Sequence, residues 1–177
     1  MRPLVQWLGY AALASLVLSA PADFETTQLT DQDIGDFTAL SFGNRNQRWH
    51  PRPSCKAFPG TDDWPSEREW GRLNLTLDGA LLRPNPPAIV CYDGPEYNEA
   101  KCKDLILHAG DSHFYIDDPL TVLSQWLQGS TCLPGLSPKG NCTRGGYPEY
   151  VVNVTRVKHV QAAVNFARNN NVRLVIK

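Results

Sequence analysis

Residues 147–177, YPEYVVNVTRVKHVQAAVNFARNNNVRLVIK, pass through three regimes of hydrophobic patterning. Tyr150, Val151 and Val152 are β-branched or aromatic and follow the turn residues Gly145, Gly146 and Pro148, which predicts a strand. Val157, Val160, Val164 and Ala167 then recur at steps of three and four, predicting one apolar stripe on a helix of about four turns. Thr155 is placed to cap that helix through its hydroxyl. Asn169, Asn170 and Asn171 are placed to end it, because Asn tolerates the left-handed conformation. Val172 to Ile176 is nearly continuous apolar, the pattern of a parallel strand covered on both faces. Strand, crossover helix and second strand at this length predict a right-handed parallel unit. In open α/β units the ligand site is built by the loop leaving the carboxyl end of such a strand, and Lys177 stands at that point. The expectation is that this chain is the front part of a larger protein. The strand-to-helix junction NVTRV has no glycine, so the dinucleotide-binding fingerprint is absent there.

Two more helices are legible upstream. Pro65 stands in the first turn of a predicted helix with Glu67 and Glu69 near its positive end; Trp70, Leu73 and Leu77 form its apolar side and Gly79 stops it. A second helix is predicted from Gly94-Pro95-Glu96 through Tyr97, Ala100 and Leu105 to near Gly110. Between them Ala88 to Tyr92 reads as a short strand. Residues 111–147 read as loop apart from the apolar Leu120 to Leu127, and residues 23–54 as an irregular arm.

The N-terminus changes the picture by fixing a compartment. Arg2, the apolar run Trp7 to Leu18 and the small residues Ala20-Pro21-Ala22 predict a signal peptide over residues 1–22, cleaved after Ala22. That run is too short to cross about 30 Å of hydrocarbon as a helix. A secreted product, with no membrane association after cleavage, is the expectation. Five cysteines fit an oxidising compartment, and the odd number leaves one outside intrachain pairs. Cys132 and Cys142 flank a Pro, Gly and Ser loop and are the simplest pair to close; a second pair lies among Cys55, Cys91 and Cys102, between which the sequence does not choose. Asn74, Asn141 and Asn153 each open an Asn-x-Thr glycosylation acceptor, with Asn74 the first choice for occupancy. Seventeen basic and eighteen acidic residues give a net charge of −1, and no basic stripe suggests nucleic acid.

Candidate chemistry is sparse. His50, His108, His113 and His159 have no metal-ligand spacing with the cysteines, and His159 reads as a partly exposed residue off the apolar stripe. Asp117-Asp118-Pro119 pairs two carboxylates, yet acidic residues before Pro are usual turn formers. Ser112 and Ser130 lack a nucleophile elbow. Trp126 and Gly129 are candidates to reach a cofactor in a complete enzyme, but core packing and a tight turn explain them as well or better. No catalytic or metal-binding residue is assigned.

Three segments, SCKAFPGTDDWPSEREW, PPAIVCYDGPEYNEAKC and CTRGGYPEYVVNVTRVKHVQAAVNFARNNNVRLVIK, occur in an order that resembles the N-terminal part of secreted fungal FAD-linked oxidoreductases of the vanillyl-alcohol oxidase type, from about residue 50 onward. The resemblance implies an α+β fold: an N-terminal irregular and helical arm, residues 23–145, followed by the first βαβ unit of a PCMH-type FAD-binding domain, incomplete, over residues 146–177. It implies FAD as cofactor and a small alcohol or similar organic molecule as substrate in the full-length family. In that family a loop carrying the flavin-bearing histidine follows the last strand, so Lys177 would abut it. This sequence does not contain that loop, and the chain alone is expected to be inactive and to bind no FAD. The alternative is a secreted, disulfide-stapled, non-catalytic interaction module.

Overall fold

The computed structural model describes residues 26–42, 55–116, 118–120, 129–138 and 140–177. The signal segment, most of the Leu120 to Leu127 stretch, His50, Asp117 and Trp126 lie outside the described residues.

The first described element is a short helix, α1 (Asp31–Ile34), whose cap Thr30 accepts from the Asp33 amide while the Asp33 side chain accepts from the Thr30 amide. A 3₁₀ turn, Thr38–Leu40, follows. Helix α2 runs Glu67–Thr76. Ser66 and Glu69 form its capping box, so the helix begins after Pro65 rather than around it. Trp70, Leu73 and Leu77 are buried, and the turn closes through Asp78 and Gly79, both at positive φ.

Strand β1 (Leu81–Leu82) pairs antiparallel with β2 (Val151–Val152), Leu81 opposite Val152. The strand at Tyr150 to Val152 therefore finds its partner upstream and not in Val172 to Ile176. Val172 makes one parallel bridge to Ala57, and residues 173–177 continue without strand pairing. The α+β class holds, while the expected parallel pairing of the two C-terminal strands does not form among the described residues. A nearly continuous apolar strand needs neighbours on both edges to be recruited into a ladder, and the described chain offers Val172 a single-residue contact.

Ala88 to Tyr92, expected as a strand, is instead a 3₁₀ helix, Pro87–Cys91. Pro86 and Pro87 fix φ and Pro87 has no N–H to donate, which disfavours a ladder. Helix α3 (Glu99–Leu107) starts later than its pattern suggests, because Asn98 caps it by accepting from the Lys101 amide at 2.9 Å. A short helix, α4 (Ser112–Ile116), comes next.

Helix α5 (Val157–Asn169) ends as the three asparagines suggest. Asn171 takes φ +54°, the Asn171 amide donates to Arg168 O at 3.3 Å and the Val172 amide to Ala167 O at 2.8 Å. Those two bonds satisfy carbonyls that the last turn leaves open, the Schellman arrangement. Its start and its buried face differ from expectation. Arg156 is the N-cap and no side chain caps it, so Thr155 does not play that part. The buried residues are His159, Ala162, Asn165, Phe166 and Ala167, whereas Val160 and Val164 are exposed.

The main core joins Phe37, Leu40, Trp70, Leu73 and Leu77 to Ala162 and Phe166. It draws on residues from both sides of position 145. Trp70 stacks on Tyr150 at 4.1 Å between ring centres and meets Phe166 at 4.8 Å. A second, smaller core gathers Ala88, Leu105 and Cys132, with Tyr92, Phe114 and Cys142 against it. Disulfides Cys91–Cys102 and Cys132–Cys142 tie that region, and Cys55 belongs to neither.

Candidate functional site

The sequence directs attention to the end of α5, where a ligand loop would leave. There the chain emerges from the Asn171 cap, passes Ala57, whose amide donates to Asn171 O at 3.1 Å, and runs exposed through Leu174, Val175 and Ile176. The Asn171 side chain donates to Cys55 O at 2.8 Å, so the segment before α2 is laced to the root of this run. Lys177 Nζ donates to Asp118 O. The residues gathered here are backbone groups and apolar side chains, a frame for positioning and not a set of acids and bases.

A charged cluster collects at the Leu82–Val151 end of the β1–β2 ladder. Glu149 accepts from Arg83 and Arg144, the latter at 3.1 Å, and Arg144 also donates to Pro84 O at 2.8 Å and Pro148 O at 3.0 Å. Tyr150 donates to Glu67 at 3.2 Å and carries the Arg83 guanidinium 5.4 Å above its ring. Burial first, then the negative charge of Glu67, push the Tyr150 hydroxyl above its ordinary range. The hydrogen bond and charge of Glu149 hold Arg83 firmly protonated. A phenol shifted upward is a weaker acid that keeps its proton and donates it in a hydrogen bond to Glu67, so this cluster reads as a clamp on the ladder.

His159 is 3% exposed, contrary to expectation. Its Nδ1 accepts from the Thr155 amide at 3.5 Å. Among the described residues Nε2 makes no hydrogen bond; it faces Asp78 at 3.9 Å, and Asp78 itself is paired with Arg156 at 2.7 Å. The signal in the sequence was its spacing to Ala162 and Phe166, three and seven residues on, which competes with the valine stripe.

The remaining sequence candidates are scattered. His108, the C-cap of α3, stacks on Phe114 at 5.1 Å, and His113 lies on α4. Asp118 accepts from the Leu120 amide at 2.9 Å, a turn-forming bond. Ser130 and Gly129 sit at positive φ in a turn. Ser112 opens α4. Among the described residues no group of three or more metal-ligating side chains forms, and no helix is long and apolar enough to cross a membrane.

Two open clefts accompany the second core. One, of about 350 Å³, is lined by Tyr92, Thr131, Leu133, Pro134 and Asn141; the other, of about 250 Å³, by Tyr97, Glu99, Lys103 and Leu136. Both are open to solvent, and neither encloses a slot for a tricyclic ring.

No family model matches the sequence. The chain is 44% identical over 128 residues to the VAO-type flavoprotein oxidase VAO615 of Thermothelomyces thermophilus, a match covering 71% of this chain and 22% of that protein. It is 38% identical over 126 residues to the bifunctional decalin synthase calF of Penicillium decumbens, and 36% identical over 147 residues to the FAD-linked oxidoreductase orf1 of Neocamarosporium betae. Those matches cover 70% and 81% of this chain, and 22% and 25% of the relatives. The crystal structure of the VAO-type flavoprotein MtVAO615 from Myceliophthora thermophila superposes with a TM-score of 0.65 at 42% identity, covering 70% of this chain and 23% of that one. MtVAO713 of the same fungus gives 0.60 at 31% identity, over 70% of this chain and 22% of that one. Over these matched residues the chain's homologues are VAO-type flavoprotein oxidases and FAD-linked oxidoreductases, and it spans about a fifth to a quarter of their length.

Proposed function

We propose that this chain is the N-terminal lobe of a secreted FAD-dependent oxidoreductase, and that FAD binding and oxidation of a small alcohol or similar organic molecule are properties of a full-length form. The observation that carries the reading is the match at 44% identity over 71% of this chain but 22% of the relative. The geometry supports it. The run after Asn171 exposes Val175 and Ile176, side chains of the kind that enter a sheet, at the place where a ligand loop leaves in open α/β units. This chain's own part is scaffolding: α5 and its Asn171 cap hold the root of that run, and the arm and α2 hold α5. FAD, when bound by a full-length form, supplies the redox chemistry.

By itself the chain binds no flavin. Purified protein incubated with excess FAD and desalted is expected to show none of the visible absorbance of oxidised flavin and no substrate-dependent peroxide. Stoichiometric retained flavin would overturn this reading. Secretion, cleavage after Ala22 and N-glycosylation belong to the same proposal and rest on the leader pattern with its three acceptors. N-terminal sequencing of the product from a eukaryotic secretory host is expected to begin at Asp23 or nearby.

A further inference from the structure

The three Asn-x-Thr acceptors sit in three different backbone settings, and the settings rank them. In the transferring enzyme the threonine hydroxyl must come beside the asparagine amide, so the side chains at the first and third positions have to share a face. Extended backbone provides that, since positions two apart point the same way. A helix prevents it, because positions two apart do not face each other.

Asn153-Val154-Thr155 is the non-helical case, the link between β2 and the extended N-cap Arg156 of α5. The Asn153 amide donates to Ala80 O at 2.9 Å, carrying the β1–β2 pairing one residue past Val152, and the chain reaches Arg156 before α5 begins. Asn153 and Thr155 are both exposed, as is Val154 between them. Asn74-Leu75-Thr76 is the helical case, the last three residues of α2. Asn74 is half-buried and its Oδ1 accepts from the Leu81 amide at 3.0 Å; the Thr76 hydroxyl donates back to Arg72 O at 3.1 Å. The Asn74 carboxamide is thus held through its oxygen, and the Thr76 hydroxyl is turned to the backbone. Helix α2 carries its own capping box, Ser66 with Glu69, so its helical bias is specified locally. Asn141 is exposed, but the middle residue of its acceptor is Cys142, bonded to Cys132, which ties its occupancy to the order of disulfide closure.

We propose that Asn153, at the exit of β2, is an N-glycan attachment site and that Asn74 is not. This rests on the compartment reading above, and it reverses the order that sequence alone suggests. The glycan would stand over Val154 at the approach to α5, leaving the buried His159 and Ala162 face untouched.

The test has two arms in a eukaryotic secretory host, one with the chain's own residues 1–22 and one with a proven cleavable leader in front of Asp23. Enzymatic removal of glycan in heavy-oxygen water converts each occupied Asn to a labelled Asp, read peptide by peptide. In the second arm the expected result is label at position 153 in most molecules and none at position 74. Asn153→Gln then loses one glycan step in gel mobility, and Asn74→Gln leaves the pattern unchanged. Label at Asn74, or a bare Asn153 on exported protein, overturns the assignment. An intracellular product in the first arm alone overturns the compartment reading and not the site, which the second arm decides.

Discussion

Asp33 holds the N-terminal segment to α5 with both carboxylate oxygens, taking Lys158 Nζ at 3.0 and 2.8 Å while also accepting the Thr30 amide at 2.7 Å. The Lys158 hydrogen bonds first, then those from Thr30, lower its pKa from the usual 3.8 to about 2. A carboxyl that protonates more readily in the unfolded chain stabilises the fold fully above its unfolded value. That stabilisation is lost as the pH falls from about 4 to about 2. Asp33→Asn is therefore expected to destabilise at neutral pH and to narrow its gap to the parent chain across that window, read as denaturant midpoints at several pH values. A constant gap would show that Asp33 acts through shape and not charge. This pair was not legible in the sequence, since 125 positions separate its members. His159 was misjudged for a related reason: a single histidine between valines looks solvent-facing until the element that covers it is known.

For helices, what can be read from sequence and what cannot divides along capping and facing. The α2 cap is local chemistry, Ser66 with Glu69, and the asparagine ending of α5 is local too. Ser66→Ala is expected to cost about 1 kcal/mol, within a usual range of about 0.5 to 2, measured as a fall in denaturation midpoint at unchanged slope. The buried face of α5 is not local. The valine stripe has the right period but the wrong angle, because the arm packs on the side that carries Asn165 and Asn169. Asn165 donates to Leu40 O at 2.9 Å, and Asn169 to Ala39 O at 2.8 Å and Ser41 O at 3.0 Å. Amides that bind a neighbour's carbonyls belong inside, and a pattern that counts only apolar residues leaves them out. The two faces are separable by experiment. Phe166→Ala, at a side chain 1% exposed between Phe37 and Trp70, is expected to cost about 3 to 5 kcal/mol, whereas Val164→Ala, at 37% exposed, should stay within about 1. Equal losses would restore the valine stripe as the core. The strands were harder to place for the same reason, since a partner as distant as Leu81 for Val152 leaves no trace in local patterning.

At the scale of the whole molecule, ordered motifs made the resemblance legible when pairing was not, because a motif is read locally while strand register depends on residues far along the chain. The same dependence shapes how this chain behaves alone. Its two cores are small, one of them built around disulfide cysteines, and the C-terminal run leaves Val175 at 68% and Ile176 at 79% exposure. Each such side chain forgoes roughly 1.5 to 3 kcal/mol of burial. Residues 173–177 have no ladder partner among the described residues, and an apolar segment with open backbone groups is a template for pairing with another copy. Self-association through this run is thus the expected behaviour of the 177-residue chain. Val175→Thr combined with Ile176→Lys places a polar and a charged side chain on the run without touching either core, so it should raise the monomer fraction and leave the melting transition where it was. Light scattering after size exclusion, at several concentrations, separates the outcomes. If the parent chain is already a concentration-independent monomer, the exposed run is not sticky and the stand-alone module gains weight over the lobe of a larger enzyme. If only the double variant is monomeric, the run is the surface that the lobe reading requires to be covered.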